Sequence, residues 1–138
     1  MKEIILSKLP KRDFSEFLDR LCIVRLKKER IGAEVEAEFD FYESILASIY
    51  TELGTIERAW IETRLEELMK FNGEIWDAEC EIRNGQLDAC TDYKSLWEKT
   101  IQVRNSNRER NKIKNKINSF FSNGFPEIRI NIVGNPSL

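Results

Sequence analysis

Residues 61–84 read IETRLEELMKFNGEIWDAECEIRN, and within them Ile61, Leu65, Leu68, Asn72, Ile75, Glu79 and Ile82 recur at alternating intervals of four and three. That spacing turns one stripe of a helix toward a neighbour, and it predicts a helix over about 55–84. Asn84-Gly85-Gln86-Leu87-Asp88 follows as turn chemistry. Beyond it, Leu96, Thr100, Val103, Asn107, Arg110, Lys114, Ile117 and Phe121 form a second stripe, predicting a helix over about 92–122. Asn123-Gly124 suits a left-handed C-cap there, with Pro126 just beyond. Each helix holds about 30 residues, hence roughly 45 Å of length. Two such helices joined by a short loop must lie antiparallel, as a hairpin.

Working outward toward the N-terminus, Phe14, Phe17, Leu18, Leu21 and Val24 carry helical spacing behind Asp13 and Glu16, a capping-box pair. They predict a helix over about 13–31, with Gly32 as a break or kink. Val35, Phe39, Tyr42, Leu46, Ile49 and Leu53 form a heptad seam over about 33–54. Gly54 interrupts it, and Thr55 is a candidate cap for the next helix. One hairpin cannot bury its whole seam, so these two N-terminal helices, or a second copy of the chain, must cover it. At the far end, Glu127 to Ile132 alternates strictly, a strand over about 127–133 that needs a partner. Residues 2–7 (KEIILS), closed by a turn at Leu9-Pro10, are the other strand candidate. The expectation is a single mainly α domain over 1–138, with a small two-stranded sheet made from the two termini.

Composition excludes more than it assigns. The 138 residues contain no histidine, which removes His-based acid–base catalysis, Ser-His and Cys-His nucleophiles, and His-ligated metal sites. Cys22, Cys80 and Cys90 are odd in number and lack metal spacing, so neither zinc nor a disulfide framework is expected, and no cofactor. No apolar run approaches the roughly 20 residues of a membrane span, and Ile4-Ile5-Leu6 is too short for a secretion signal. A cytoplasmic location is expected. No glycine-rich phosphate loop or G-x-S-x-G elbow is present.

The net charge of −2 conceals a split. Residues 34–81 carry fourteen acidic and three basic side chains, whereas residues 99–118 carry seven basic ones against Glu109 alone. Internal neutralisation is the favoured reading. The alternative is a phosphate or nucleic-acid binder using the basic helix 99–118. The acidic balance overall, and the lack of an aromatic between residues 98 and 119 on which a base could stack, weigh against it.

Asn72, Trp76, Glu79 and Arg83 share one helix face, and Asn107, Lys114 and Asn118 share the matching face of the other long helix. In an antiparallel register Asn72 comes level with Asn107, and an amide contact there would fix register at some cost in stability. That reading is preferred to a ligand site. Glu79 and Arg83 are also an i, i+4 ion pair, and Trp76 is expected in the core or an interface. Glu74, Asp77 and Glu81 are the carboxylates from which a magnesium site could be built. A helical nucleotide phosphohydrolase would add an E-x-x-E pair on the preceding helix, and Glu34, Glu36, Glu38, Asp40 and Glu43 do not supply it.

Three stretches together resemble a bacterial family of unknown function. Leu18 to Ile31 (LDRLCIVRLKKERI) is similar to that family's L-[IV]-D-K-I-T-I-L-x-I-K-x-E-R-I. Asn72 to Arg83 (NGEIWDAECEIR) is similar to N-x-x-L-W-D-I-E-D-x-I-R, and Asn107 to Asn118 (NRERNKIKNKIN) to N-D-x-R-A-x-I-K-R-x-I-N. The likeness spans residues 18–118. It departs at Arg108, where the family has Asp, and after residue 125, where the family's acidic ending is replaced. The resemblance implies a shortlist: Asp19, Lys27, Glu29, Arg30, Asn72, Trp76, Glu79, Arg83, Asn107, Lys114 and Asn118. It assigns them no reaction.

The sequence is therefore read as a non-enzymatic helical assembly or adaptor module. It is expected to self-associate, with a dimer favoured and a protein partner possible. Polyanion binding and carboxylate–metal phosphohydrolysis stand as the two alternatives, in that order. Neither nucleic acid nor a membrane is the expected partner.

Overall fold

A computed structural model describes residues 14–83, 93–121, 129–130 and 136–137. The expected Asp13 cap, the strand at 2–7, the turn at 84–88 and the C-cap at 123–124 lie outside the described residues. Helix α1 spans Phe14–Arg30, α2 Glu36–Tyr50, α3 Thr55–Arg83 and α4 Tyr93–Phe121, with one 3-10 turn at Ala33–Val35 before α2. None of these helices is long and apolar enough to cross a membrane.

α1 buries Phe14, Phe17, Leu18, Leu21 and Cys22, a stripe at helical spacing, and carries Lys27, Lys28 and Arg30 in its last turn, where the helix dipole favours cations. Its end is set by Gly32, whose φ of 96° is open to glycine and strained for any other residue. Amides of both Ile31 and Gly32 return to the Lys27 carbonyl there. α2 buries Ile45, Leu46 and Ile49, while Val35 and Phe39 at its start are only partly covered. The cap of α3 is Gly54 rather than Thr55. The Gly54 carbonyl accepts the first helical bond from Arg58, and the Glu57 carboxylate reaches back to the Gly54 amide at 2.9 Å.

α3 and α4 form the most extensive helix pair, running antiparallel. Trp60 stacks on Phe120 with centroids 4.1 Å apart, Ser106 donates to Glu74 at 3.0 Å, and Lys99 meets Glu81 at 2.8 Å. α1 lies across both arms, and α2 packs on α1. The core sits where Phe14, Leu18, Leu21, Ile61, Leu65, Leu68, Ile117 and Phe121 converge, all essentially dry. Tyr93 and Trp97, at the opposite end of the hairpin, are 80% and 65% exposed.

The sheet expected between the termini is overturned. Arg129–Ile130 pairs antiparallel with Pro136–Ser137 a few residues further on, Arg129 opposite Ser137. A strand takes the partner whose loop closes at the least entropic cost, and one some 120 residues away competes poorly with one so near. Apart from this two-residue bridge, the described residues are helical in regular structure.

Candidate functional site

Most of the buried polar side chains gather where α1 crosses the hairpin; Ser106, bonded to Glu74, lies apart. Asp19, on the inner face of α1, is 4% exposed, and Asn72 on α3 is 5% exposed. Asn72 Nδ2 donates to Asp19 Oδ1 at 2.9 Å, and Arg110 Nη2 on α4 meets Asp19 Oδ2 at 3.1 Å. Arg110 Nη1 donates to Asn107 Oδ1 at 3.0 Å. One carboxylate thus joins three helices, with Arg110 linking it onward to Asn107. One turn away Lys114, 4% exposed, sets its ammonium 2.6 Å from Glu16 Oε1 on α1. Asn118 is buried a further turn along α4.

The expected contact between Asn72 and Asn107 is therefore not formed. The two are nearly level, but Asp19 comes in from α1 and takes the Asn72 amide, while Arg110 takes the Asn107 oxygen. A charged acceptor makes the stronger bond to an amide N–H, which is why the carboxylate prevails. Each of the three stretches 18–31, 72–83 and 107–118 contributes to this network: Asp19 from the first, Asn72 from the second, Arg110 and Asn107 from the third.

The rest of the shortlist lies apart. Lys27 pairs with Glu38 on α2 at 3.4 Å, and Glu29 is exposed. Arg30 bonds to Asp77 and lies over the half-buried Trp76 ring, 5.6 Å from its centroid. Glu79 is half-buried; Arg83 closes α3, and its side chain is outside the described residues. Glu74, Asp77 and Glu81 are held by three separate partners, Ser106, Arg30 and Lys99. Among the described residues no group of three or more His, Cys, Asp or Glu could hold a metal ion.

The acidic block of α2 is answered by α1 rather than by α4. Arg20 meets Glu38 at 2.9 Å, Arg25 grips Glu43 through both Nε and Nη2, and Lys28 reaches Glu36. The hydrogen bond from Arg20 holds the Glu38 carboxyl below the usual carboxylate range, and Lys27 adds to it. Cys22 donates to the Leu65 carbonyl, and burial pushes its thiol up. Burial, and then a hydrogen bond to Glu62, likewise raise Tyr50. A thiol held protonated and packed into the core is a structural group, not a nucleophile. Sequence reasoning missed Arg110 as the closing member of the network, although it stood in the α4 stripe. No protein-family model, curated protein or solved structure matches this chain.

Proposed function

We propose that this chain is a non-catalytic helical assembly module that works by presenting a rigid four-helix body to a second copy of itself. The observation that carries this reading is the closed pairing of Asp19, Asn72 and Arg110 inside the bundle. Asp19 and Asn72 are dry and engaged with each other and with Arg110, as in a device that fixes how helices seat, while an aromatic side chain such as Trp97 stands in solvent. The resemblance to the bacterial family of unknown function supports it in one respect: its three stretches supply the members of that network. A cytoplasmic setting belongs to the same proposal and rests on the free thiols Cys22 and Cys80.

Sedimentation velocity over a range of protein concentrations tests the reading. A reversible dimer is expected, and a monomer at every concentration would sink it.

A second reading, polyanion binding on the outer surface of α4, has one observation in its favour. Arg104, Arg108, Lys112 and Lys116 are all exposed at four-residue steps, about 6 Å of rise each. Titrating single-stranded RNA at low salt tests it, with binding that falls steeply as salt rises as the supporting result. Absence of binding at low salt removes it.

A further inference from the structure

The side of the hairpin turned away from α1 carries a charge reversal along its length. On α4, Glu98, Ile101, Asn105, Glu109, Lys112 and Lys116 repeat at intervals of three and four, so they form one stripe. It is distinct from the stripe of Arg110 and Lys114, which reaches α1. The matching stripe of α3 holds Trp60, Arg64, Glu67, Phe71 and Glu74. Two shallow clefts follow one another between these stripes. One is lined by Glu74, Glu98 and Glu109 with Phe71 and Ile101; the next by Arg64, Lys112 and Lys116 with Trp60 and Phe120. No described element covers either. Arg64 Nη2 holds Glu67 Oε1 at 3.0 Å on the same α3 stripe, while Arg64 Nε and Glu67 Oε2 are buried without a hydrogen-bond partner among the described residues.

A groove acidic along one half and basic along the other is complementary to itself under a two-fold rotation perpendicular to it. We infer that this groove is where the second copy docks, antiparallel, acidic half on basic half. This rests on the self-association proposed above and specifies its interface. The sign changes on α4 between Glu109 and Lys112, an ion pair of 3.0 Å within the helix. The hairpin register sets that point level with about Met69 on α3, since Ser106 is level with Glu74 and Phe120 with Trp60.

An axis there has definite consequences. Glu109 faces the second copy's Lys112, so the two intrahelical pairs merge into one alternating cluster of four charges. Arg64 faces the second copy's Glu74, and Ile101 faces the second copy's Phe120. On α4 the two central charges each meet their opposite, and Ile101 and Phe120 give the apolar contact on either side of them. A parallel arrangement would lay each α4 on the second copy's α3 at the same level, acidic half on acidic half, and set Lys116 against the second copy's Arg64, which like-charge repulsion disfavours. The product is a bundle of four long helices, two from each copy, with α1 and α2 on its outer faces.

Charge reversal tests this on the full chain. Lys112→Glu with Lys116→Glu makes the α4 side of the groove acidic in both halves; Glu98→Lys with Glu109→Lys makes it basic in both halves. All four side chains are on the surface of α4, and retained helical circular dichroism establishes that each variant folds. Each variant alone is expected to self-associate at least about tenfold more weakly than the wild type. An equimolar mixture is expected to recover a dimer, seen by sedimentation velocity. If both variants dimerise like the wild type, or the mixture fails to recover a dimer, the interface lies elsewhere and the inference falls while self-association stands. A wild-type chain that is monomeric throughout removes both.

Discussion

Asn72 donates to Asp19, 53 positions earlier in the chain, although across the hairpin its level is that of Asn107. The consequence is that α1 is keyed into the hairpin rather than merely laid over it. An apolar face could slide by a turn along the seam; a carboxylate that must meet both an amide on α3 and a guanidinium on α4 cannot.

Removing that carboxylate should be costly in an uneven way. Asp19→Ala is expected to lower stability by about 3 kcal/mol, because Arg110 is then left mostly buried against a vacated site. Asn72→Leu alone should cost less, about 1–2 kcal/mol, since it strands no charge. Combined, the two should cost less than their sum, because they share one interaction. Chemical denaturation of the four species completes the cycle, and strict additivity would show that the bond contributes nothing.

Gly73 stands beside Asn72 under the end of α1. A Cβ built there would meet Arg30 Nη2 at 3.6 Å and Leu26 Cδ2 at 4.0 Å, which is ordinary contact. Gly73→Ala should therefore stabilise the protein by roughly 0.5–1 kcal/mol, through the lost flexibility of an unfolded glycine. A fall in the melting temperature would mean that α1 sits closer to α3 than described.

The two ends of the hairpin should respond to truncation in opposite ways. Phe121→Ala removes a fully buried ring packed edge-on against Phe14, Trp60 and Phe120 and should cost about 3–5 kcal/mol. Trp97→Ala, at a ring 65% exposed, should change folding stability by no more than about 0.5 kcal/mol. Thermal unfolding of the pair checks the contrast.

The mostly helical character was legible from the spacing of apolar residues. Ile61, Leu65 and Leu68 repeat with the period of a helix, and all three are buried. Helical phase says which residues share a face; it does not say which neighbour arrives there. For Asn72 the obvious partner was the amide across the hairpin, yet the one that came was Asp19, whose own local spacing gives no hint of a contact 53 residues on. The C-terminal alternation likewise announces a need for pairing and leaves the partner open. Residues 2–7 are the partner that alternation can point to, while Pro136–Ser137, too short for any periodicity, is what Arg129–Ile130 meets. The seam through Val35 and Phe39 failed to bury because it continues past the part of α2 that rests on the core.

Alkaline pH should destabilise the fold through two groups. The Cys22 thiol and the Tyr50 phenol, ordinarily near 9.0 and 10.0, are both raised in the folded chain. Above about pH 9 the unfolded chain begins to release protons that the folded chain still holds, so stability is complete below that point and declines as pH rises. Cys22→Ala and Tyr50→Phe should each lose part of this decline, read as the slope of unfolding free energy between pH 8.5 and 10.5 (a window of about two units). An unchanged slope in the double variant would place the alkaline sensitivity elsewhere.

The ion pair of Lys114 with Glu16 joins positions 98 residues apart, and it bears on how the chain is made. Translation proceeds at roughly 5–20 residues per second, so α1 leaves the ribosome about 5–20 s before the helix that receives its carboxylates exists. Through that interval its phenylalanines and leucines have no hairpin to rest on. Slowing synthesis within α4 should lengthen the interval in which that apolar face stays uncovered.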